Sequence, residues 1–158
     1  MWIFSGCVTT YNHSSPEKLG KTVFKILKNQ DESALRLIVP AEADLESFLA
    51  TSDMPEDELA AFKEEMKQII AEFLNAATIS FQAASDAASH DGVVLSKSKL
   101  GKARVNTWQG PDNMLANLEM DLVFGGKKYL LKITEAGKVA TGWVVGLKGF
   151  DLVAAGAQ

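Results

Sequence analysis

Apolar residues recur every three or four positions through the first part of the chain, and this spacing predicts helices. A first helix is expected to begin at Ser14, whose side chain can cap it, with Pro16 in the first turn. A second helix is expected to begin at Asp31 and to end at Pro40, because proline lacks the backbone donor that a helix needs. A short apolar segment follows Pro40.

The longest stretch with helical spacing predicts one helix over residues 54–89. Asp53 is expected to cap its start, and Gly92 is expected to supply a left-handed residue at its end. Residues 78–81 also alternate between polar and apolar types, so a short strand is an alternative there.

Beyond residue 100 apolar residues alternate with polar ones, which is typical of half-buried strands. Four strands are expected, at Leu100–Trp108, Met114–Phe124, Lys127–Thr134 and Lys138–Lys148. Helices followed by strands indicate an α+β fold. We expect N-terminal helices, one of them long, packed on a four-stranded, strongly twisted antiparallel sheet.

Two turns determine the expected register of these strands. Gly125-Gly126 suits a two-residue turn with positive φ, which would place Leu122 opposite Tyr129. Glu135-Ala136-Gly137 suits a three-residue turn, which would place Tyr129 opposite Trp143. Together the two turns direct one face of the sheet toward the helices. The members of this inner face are Leu118, Met120, Leu122, Phe124, Tyr129, Leu131, Ile133, Val139, Thr141, Trp143, Val145 and Leu147.

The expected inner face carries no carboxylate and no histidine, and Tyr129 and Thr141 are its only polar side chains. A packed core is one interpretation, with the tyrosine hydroxyl bonded to a partner at the edge. The alternative is an open pocket between the long helix and the sheet, with Tyr129, Trp143, Phe73 and Thr141 as ligand-binding residues. We expect no metal site and no cofactor, since the histidines and the cysteine are scattered and no phosphate-binding glycine loop occurs.

The outer face of the expected sheet carries an apolar stripe formed by Val123, Leu130 and Val144. A contiguous apolar stripe on a flat sheet suits an interface, so a homodimer through this face is one expectation. The other is a surface that is tolerated or covered by the tail.

Composition and charge narrow the possible functions. The chain has 158 residues, enough for one domain with its own core, and no apolar run near the 20 residues of a membrane-spanning helix. Its net charge of −4 argues against nucleic acid as a partner. Acids dominate residues 31–72 and bases dominate residues 97–148. These two surfaces either complement each other, or are simply solvated, or leave a basic sheet edge for an acidic partner or anionic lipid.

The only cysteine, Cys7, ends the string Ile3-Phe4-Ser5-Gly6-Cys7, which resembles the lipobox of bacterial lipoproteins. Such signals have a longer basic and apolar stretch before the cysteine. Either the natural start lies upstream, and residues 1–13 are a signal remnant and tether, or Cys7 is an ordinary thiol. The first interpretation implies a lipid on Cys7 that holds the protein at a membrane of the bacterial cell envelope. Residues 14–150 are then one α+β domain, and residues 151–158 a flexible tail.

The order of these elements resembles the cystatin-like, or nuclear transport factor 2-like, cone fold. The resemblance covers about residues 16–150 and comes from the Lys28–Asp31 break, the helix end at Pro40, the long helix and a meander ending in Gly142–Val145. Residues Asp91–Lys99 are similar to the helix-to-strand connection in bacterial lipoproteins of that fold. The resemblance implies a small envelope protein, often dimeric through its sheet, and carries over no catalytic residue.

Two functions follow as hypotheses. The first is a non-catalytic binding or scaffold module anchored to the envelope through Cys7, with a membrane surface and a second copy of the chain as partners. The alternative is a small-molecule enzyme or a carrier of a hydrophobic ligand in the cone interior. The resemblance implies this alternative, because enzymes of this fold hold an Asp or His base in the mouth of the cone.

Overall fold

The computed structural model of the chain describes residues 11–111 and 113–156. This described part contains three α-helices followed by a five-stranded antiparallel sheet that does not close on itself. The helices are α1 (Pro16–Asn29), α2 (Glu42–Ala50) and α3 (Glu56–His90), with short 3₁₀ helices at Glu32–Leu37 and Leu95–Lys97. The strands are β1 (Lys99–Gln109), β2 (Met114–Phe124), β3 (Lys127–Val139), β4 (Gly142–Val144) and β5 (Phe150–Ala154). The α+β class, with helices before the sheet, is therefore confirmed.

The helix boundaries follow the expected pattern but use different caps. Ser15, not Ser14, caps α1, since its side chain accepts a hydrogen bond from the Lys18 backbone N–H at 3.1 Å. Asp53 does not cap α3, which begins after Pro55 without a side-chain cap. The segment after Asp31 forms a 3₁₀ helix that ends before Pro40.

The long helix α3 includes residues 78–81, so the alternative of a strand there is wrong. Gly92 follows this helix with a φ of +68°, as expected of a left-handed residue at a helix end.

The turn at Gly125-Gly126 produces the expected register between β2 and β3. Both glycines have positive φ, at 58° and 77°, and Leu122 lies opposite Tyr129. On the outer face Glu119 lies opposite Lys132, and their charged groups are 3.5 Å apart. The pairing of these two strands is therefore confirmed.

The expected turn at Glu135-Ala136-Gly137 is wrong, because these residues continue β3. The backbone does turn positive at Glu135, with a φ of 53°, but this change makes a β-bulge opposite Asn117. The Asn117 side chain accepts a hydrogen bond from the Glu135 N–H at 2.9 Å. The chain then runs on to Val139 and turns at residues 140–141.

The partner of the middle of β3 is β5, not β4. Ile133 lies opposite Phe150, Leu131 opposite Leu152 and Tyr129 opposite Ala154, so the expected pairing of Tyr129 with Trp143 is wrong. The expected flexible tail is likewise wrong for residues 151–154, which belong to β5. The physical reason is burial, because Phe150 and Leu152 complete the inner face that β4 was expected to supply.

The core lies between the inner sheet face and the helices. Four residues on one face of α1 are fully buried: Leu19, Val23, Ile26 and Leu27. Gly20 lets α1 approach the sheet closely, since a Cβ there would collide with the Leu118 and Met120 side chains. The buried residues of α3 (Ala77, Phe81, Ala84 and Ala88) all lie in its C-terminal half. The N-terminal half of α3 therefore has an apolar stripe that the core does not cover.

Candidate functional site

The uncovered half of α3 forms one wall of an apolar groove. The groove has a volume of about 880 Å³, and α2, the N-terminal half of α3 and two sheet turns enclose it. We call it the α2–α3 groove. Its lining residues are Pro40, Ala41, Asp44, Leu45, Ser47, Phe48, Phe62, Met66, Ile69, Ile70, Phe73, Asn113, Met114, Lys138, Val139 and Ala140.

Helical periodicity explains the α3 wall. Phe62, Met66, Ile69, Ile70 and Phe73 recur at intervals of one to four residues and share one side of the helix. All five are only half-buried, because no strand lies against this part of α3. The same stripe that buries Phe81 farther along α3 is thus left open at its N-terminal end.

The α2 wall is equally apolar. Phe48 stacks on Phe62 with ring centroids 6.0 Å apart and planes inclined at 30°. Half of the Phe48 surface (50%) nevertheless remains exposed to solvent. Removing apolar surface from water lowers the free energy by about 25 cal/mol per Å². Covering the two aromatic rings would therefore stabilise a complex.

The third wall consists of sheet turns. Asn113 and Met114 contribute from the β1–β2 turn, and Lys138, Val139 and Ala140 from the end of β3. Lys138 is exposed, and Met114 also has a large exposed surface. The β3 extension past Glu135 is what brings these residues to the groove, so a chain turning at residues 135–137 would lack this wall.

A buried carboxylate, Asp44, holds α2 against the sheet. Its Oδ1 accepts a hydrogen bond from the Thr141 backbone N–H at 2.8 Å. Its Oδ2 accepts from the Ala41 backbone N–H at 2.8 Å and from the Thr141 hydroxyl at 3.1 Å. The Asp44 residue is only 7% exposed. Both oxygens thus accept hydrogen bonds from other groups of the protein, so the role of Asp44 is to position α2 against the sheet.

The surface next to the groove is acidic. α2 carries exposed Glu42 and Glu46, and the first turn of α3 carries Glu56, Asp57 and Glu58, all exposed. Carboxylates at this N-terminus interact favourably with the helix dipole. Lys138 is the cation among the groove-lining residues described.

The structure separates the residues expected to form a ligand site. Phe73 lines the α2–α3 groove, whereas Thr141 is not among the lining residues but donates hydrogen bonds to Asp44, which is. Tyr129 and Trp143 are buried elsewhere and do not line it. Trp143 lies opposite Lys138, and Tyr129 precedes Lys138 by nine residues, or roughly 30 Å of strand.

Asp44 and the α2 wall were not predicted from the sequence. The available signal was an apolar stripe on α3 that is longer than any sheet strand it could pack against. For Asp44, the signal was its position three residues after Ala41 at the start of a helix, where a carboxylate can accept from the N-cap backbone N–H.

The three residues expected to form an interface do not all lie on the outer sheet face. Val123 and Leu130 are half-buried on the outer sheet face, as expected, but Val144 is only 2% exposed and lies opposite Gly137. In the structure the outer-face residue opposite Leu130 is Val153 of β5.

An ion-pair network borders this outer face. The Nη2 of Arg104 donates a hydrogen bond to Asp121 Oδ1 at 2.6 Å. The Nε of Arg104 lies 3.6 Å from a carboxylate oxygen of Glu119. The hydrogen bond from Arg104 lowers the pKa of Asp121 below its usual value, and the same bond raises the pKa of Arg104. Glu119 also lies 3.5 Å from the Lys132 ammonium.

The segment before α1 is docked on the fold from Tyr11 onward. The His13 carbonyl accepts from the Trp143 N–H at 2.7 Å, and the Asn12 carbonyl accepts from the Thr22 hydroxyl at 2.5 Å. The Tyr11 hydroxyl donates to Asp31 at 2.8 Å. Residues 11–13, at the end of the expected signal remnant and tether, therefore contact the fold.

The expected lipidation site, Cys7, lies outside the described residues. Within residues 11–111 and 113–156, no group of three or more His, Cys, Asp and Glu side chains could hold a metal ion. None of the described helices is long and apolar enough to cross a membrane.

Comparison of the chain with protein-family models, curated proteins and solved structures finds no match. The arrangement of helices on an antiparallel sheet is compatible with a cystatin-like fold.

Proposed function

We propose that the protein is a non-catalytic binding module of the bacterial cell envelope, anchored by a lipid on Cys7, and that the α2–α3 groove holds an apolar segment of its partner. One observation carries the binding part of the proposal. The groove exposes an apolar stripe and a pair of stacked aromatic rings that the protein's own core leaves uncovered. A groove between two helices is the usual receptor for the apolar face of a third helix.

Binding is favoured over catalysis by the state of Asp44. A general base needs a carboxylate oxygen within reach of a substrate proton. Both Asp44 oxygens instead accept hydrogen bonds from the backbone and hydroxyl groups of Ala41 and Thr141. The buried carboxylate thereby keeps the groove walls in place.

A second candidate, a carrier of a hydrophobic small molecule, is supported by the size of the groove. Pockets for such ligands usually measure about 300–1,000 Å³ and have mostly apolar walls. The groove volume of about 880 Å³ falls within this range. If the protein is such a carrier, extraction of the purified protein with organic solvent should release a hydrophobic small molecule. If it is the binding module proposed first, no such molecule should be released.

Binding can be tested with an environment-sensitive apolar dye and a matched pair of variants. Ile70 lines the groove, whereas Ile79 lies on the same helix, outside the groove and 59% exposed. Ile70→Glu should weaken dye binding at least tenfold, because it places a charge in the apolar site. Ile79→Glu should leave it unchanged. Equal effects of the two substitutions would contradict the groove as the binding site.

Anchoring is supported by the lipobox-like string before Cys7. The protein produced from its natural gene, with any upstream sequence, should partition into the membrane fraction and carry a diacylglycerol mass on Cys7. Cys7→Ala should shift it to the soluble fraction. An unmodified thiol on the natural protein would refute this part of the proposal and leave the groove untouched.

We also propose that the fold is of the nuclear transport factor 2-like cone type and that a homodimer forms through the outer sheet face. The dimer is supported by adjacent half-buried Val123, Leu130 and Val153 on a face that no described helix covers. Val153 replaces Val144 in this stripe.

A further inference from the structure

The helix α1 has one face for the core and an opposite face made of lysines. Lys18, Lys21, Lys25 and Lys28 are spaced by three or four residues, so they form one stripe along the helix. Three of them are exposed and Lys25 is half-buried. We call this surface the α1 lysine stripe. It is basic although the whole chain has a net charge of −4.

An acid lies at each end of this stripe. Glu17 pairs with Lys21 at 3.0 Å, and both side chains are more than half exposed. Asp31 lies just beyond the C-terminal end of α1, where its oxygens accept from the hydroxyls of Tyr11 and Ser33. The stripe therefore keeps an excess of positive charge that faces solvent.

The docked N-terminal segment reaches the fold beside this stripe. The Tyr11 hydroxyl donates a hydrogen bond to Asp31, and the Lys25 ammonium lies 5.6 Å from the centre of the Tyr11 ring. Only three residues, Val8 to Thr10, separate Tyr11 from Cys7 in the sequence. Four consecutive Cα–Cα steps span at most about 15 Å. A lipid on Cys7 would thus hold the C-terminal end of α1 close to the membrane surface.

We infer that the α1 lysine stripe is a docking surface for a bilayer that contains anionic phospholipids. This inference rests on the proposed lipid anchor at Cys7. The tether is at most about 15 Å long, so it permits the stripe to come within one Debye length of the head groups, about 8 Å at physiological salt. The lipid and the basic surface are then the two signals that stable membrane attachment requires.

Docking through α1 determines the orientation of the domain. α1 packs on the inner face of the sheet, where Gly20 contacts Leu118 and Met120. Lys99 and Lys128 lie opposite Val123 on strands β1 and β3, with their side chains on the outer face. These two exposed lysines therefore point away from the membrane and provide an internal control.

The test supplies the anchor chemically. The full chain, whose only thiol is Cys7, is coupled to a maleimide phospholipid in vesicles of phosphatidylcholine, with or without phosphatidylglycerol. Acetylation of each lysine is then followed by peptide mass spectrometry. Lys18, Lys21 and Lys28 should react at least threefold more slowly on the anionic vesicles, whereas Lys99 and Lys128 should change less than twofold. High salt should remove the difference.

A second measurement uses the uncoupled chain and two matched variants. Each lysine near an anionic surface raises partitioning roughly fivefold. Lys18→Gln/Lys21→Gln/Lys28→Gln should therefore lower partitioning onto anionic vesicles by at least tenfold. The control Lys99→Gln/Lys128→Gln/Lys132→Gln removes the same charge from the outer sheet face and should change it less than threefold.

Several results would overturn the inference. Equal protection of both lysine sets would show that no face is preferred, and protection of Lys99 and Lys128 alone would show that the opposite face docks. The same reactivity on neutral and anionic vesicles would exclude an anionic bilayer as the partner of the stripe. Because the maleimide lipid replaces the natural anchor, each of these failures is distinct from a failure of natural lipidation at Cys7.

Discussion

At the scale of single residues, two carboxylates organise the part of the chain that carries the proposed function. Asp44 joins α2 to the β3–β4 turn, and Asp31 joins the N-terminal segment to the end of α1. Neither role was evident from the sequence, because both depend on partners that are distant along the chain. Asp44 and Thr141 are 97 positions apart.

Replacing Asp44 with asparagine should destabilise the fold. An amide can still accept through its oxygen, but its NH₂ group cannot accept from a backbone N–H, and the charge that strengthens these bonds is lost. We expect a loss of about 1–3 kcal/mol in the free energy of unfolding, measured by urea denaturation. Thr141→Val removes only the hydroxyl bond and should cost about 1 kcal/mol.

The Asp44 and Thr141 effects should not be additive, because the two side chains share one hydrogen bond. An additive double variant, or an Asp44→Asn protein as stable as the wild type, would contradict the positioning role of this carboxylate.

The pKa of Asp31 provides a test of the docked N-terminal segment. Hydrogen bonds from Ser33 and, second, from Tyr11 lower this pKa below its usual value. Tyr11→Phe should therefore raise the pKa of Asp31, and Ser33→Ala should raise it more, as measured by carboxyl chemical shifts in an NMR titration. An unchanged pKa in Tyr11→Phe would mean that residue 11 is not docked in solution.

The same pKa shift determines the direction of a pH effect on stability. The folded-state pKa of Asp31 is lower than the unfolded one. Its stabilising contribution is therefore present above the ordinary aspartate pKa of about 4 and is lost as the pH falls through the lowered folded-state value. Tyr11→Phe should reduce this contribution at neutral pH and so flatten the acid side of the stability curve.

At the scale of elements, strong local signals predicted the structure and ambiguous ones did not. Gly125-Gly126 lies between two runs of alternating apolar residues, and glycine readily adopts the positive φ that a two-residue hairpin turn requires, so the β2–β3 hairpin followed from the sequence. Glu135-Ala136-Gly137 fits both a three-residue turn and a bulge. The contact between Asn117 and Glu135 decides between them, and a contact with another strand cannot be predicted from local spacing.

The C-terminal strand was missed for a similar reason. Residues 150–154 are few and end in small side chains, so they resemble a frayed tail. Their place in the sheet depends on the gap beside Leu131 and Ile133 that the short β4 leaves open. The α2–α3 groove was missed as a consequence, because its sheet wall exists only when β3 extends to Val139.

A pair of alanine substitutions tests this corrected sheet. Phe150 is fully buried in β5, whereas Leu147, which the sequence placed on the inner face, is 55% exposed. Phe150→Ala should lower the free energy of unfolding by about 3–5 kcal/mol. Leu147→Ala should change it by less than about 0.5 kcal/mol. The opposite order in urea denaturation would restore the four-stranded arrangement and remove β5 from the core.

At the scale of the whole molecule, charge and apolar surface divide the protein into distinct regions. Acids on α2 and on the first turn of α3 lie beside the α2–α3 groove, and lysines line α1. Acids beside an apolar groove favour a partner with an apolar face and a basic flank. The lysines favour an anionic bilayer. The charge pattern of the sequence predicted an acidic front half and placed the basic surface on the sheet. It did not predict the basic surface on α1.

We propose that this protein binds its partner in the α2–α3 groove. The most direct measurement places a photo-reactive amino acid at Phe62 in the groove or at Ile79 outside it, in the natural protein within intact envelopes, and compares the adducts by mass spectrometry. A discrete adduct at position 62, absent at position 79 and lost when Ile70→Glu is added, is the predicted result. Adducts of equal yield at both positions, or none at position 62, would contradict it.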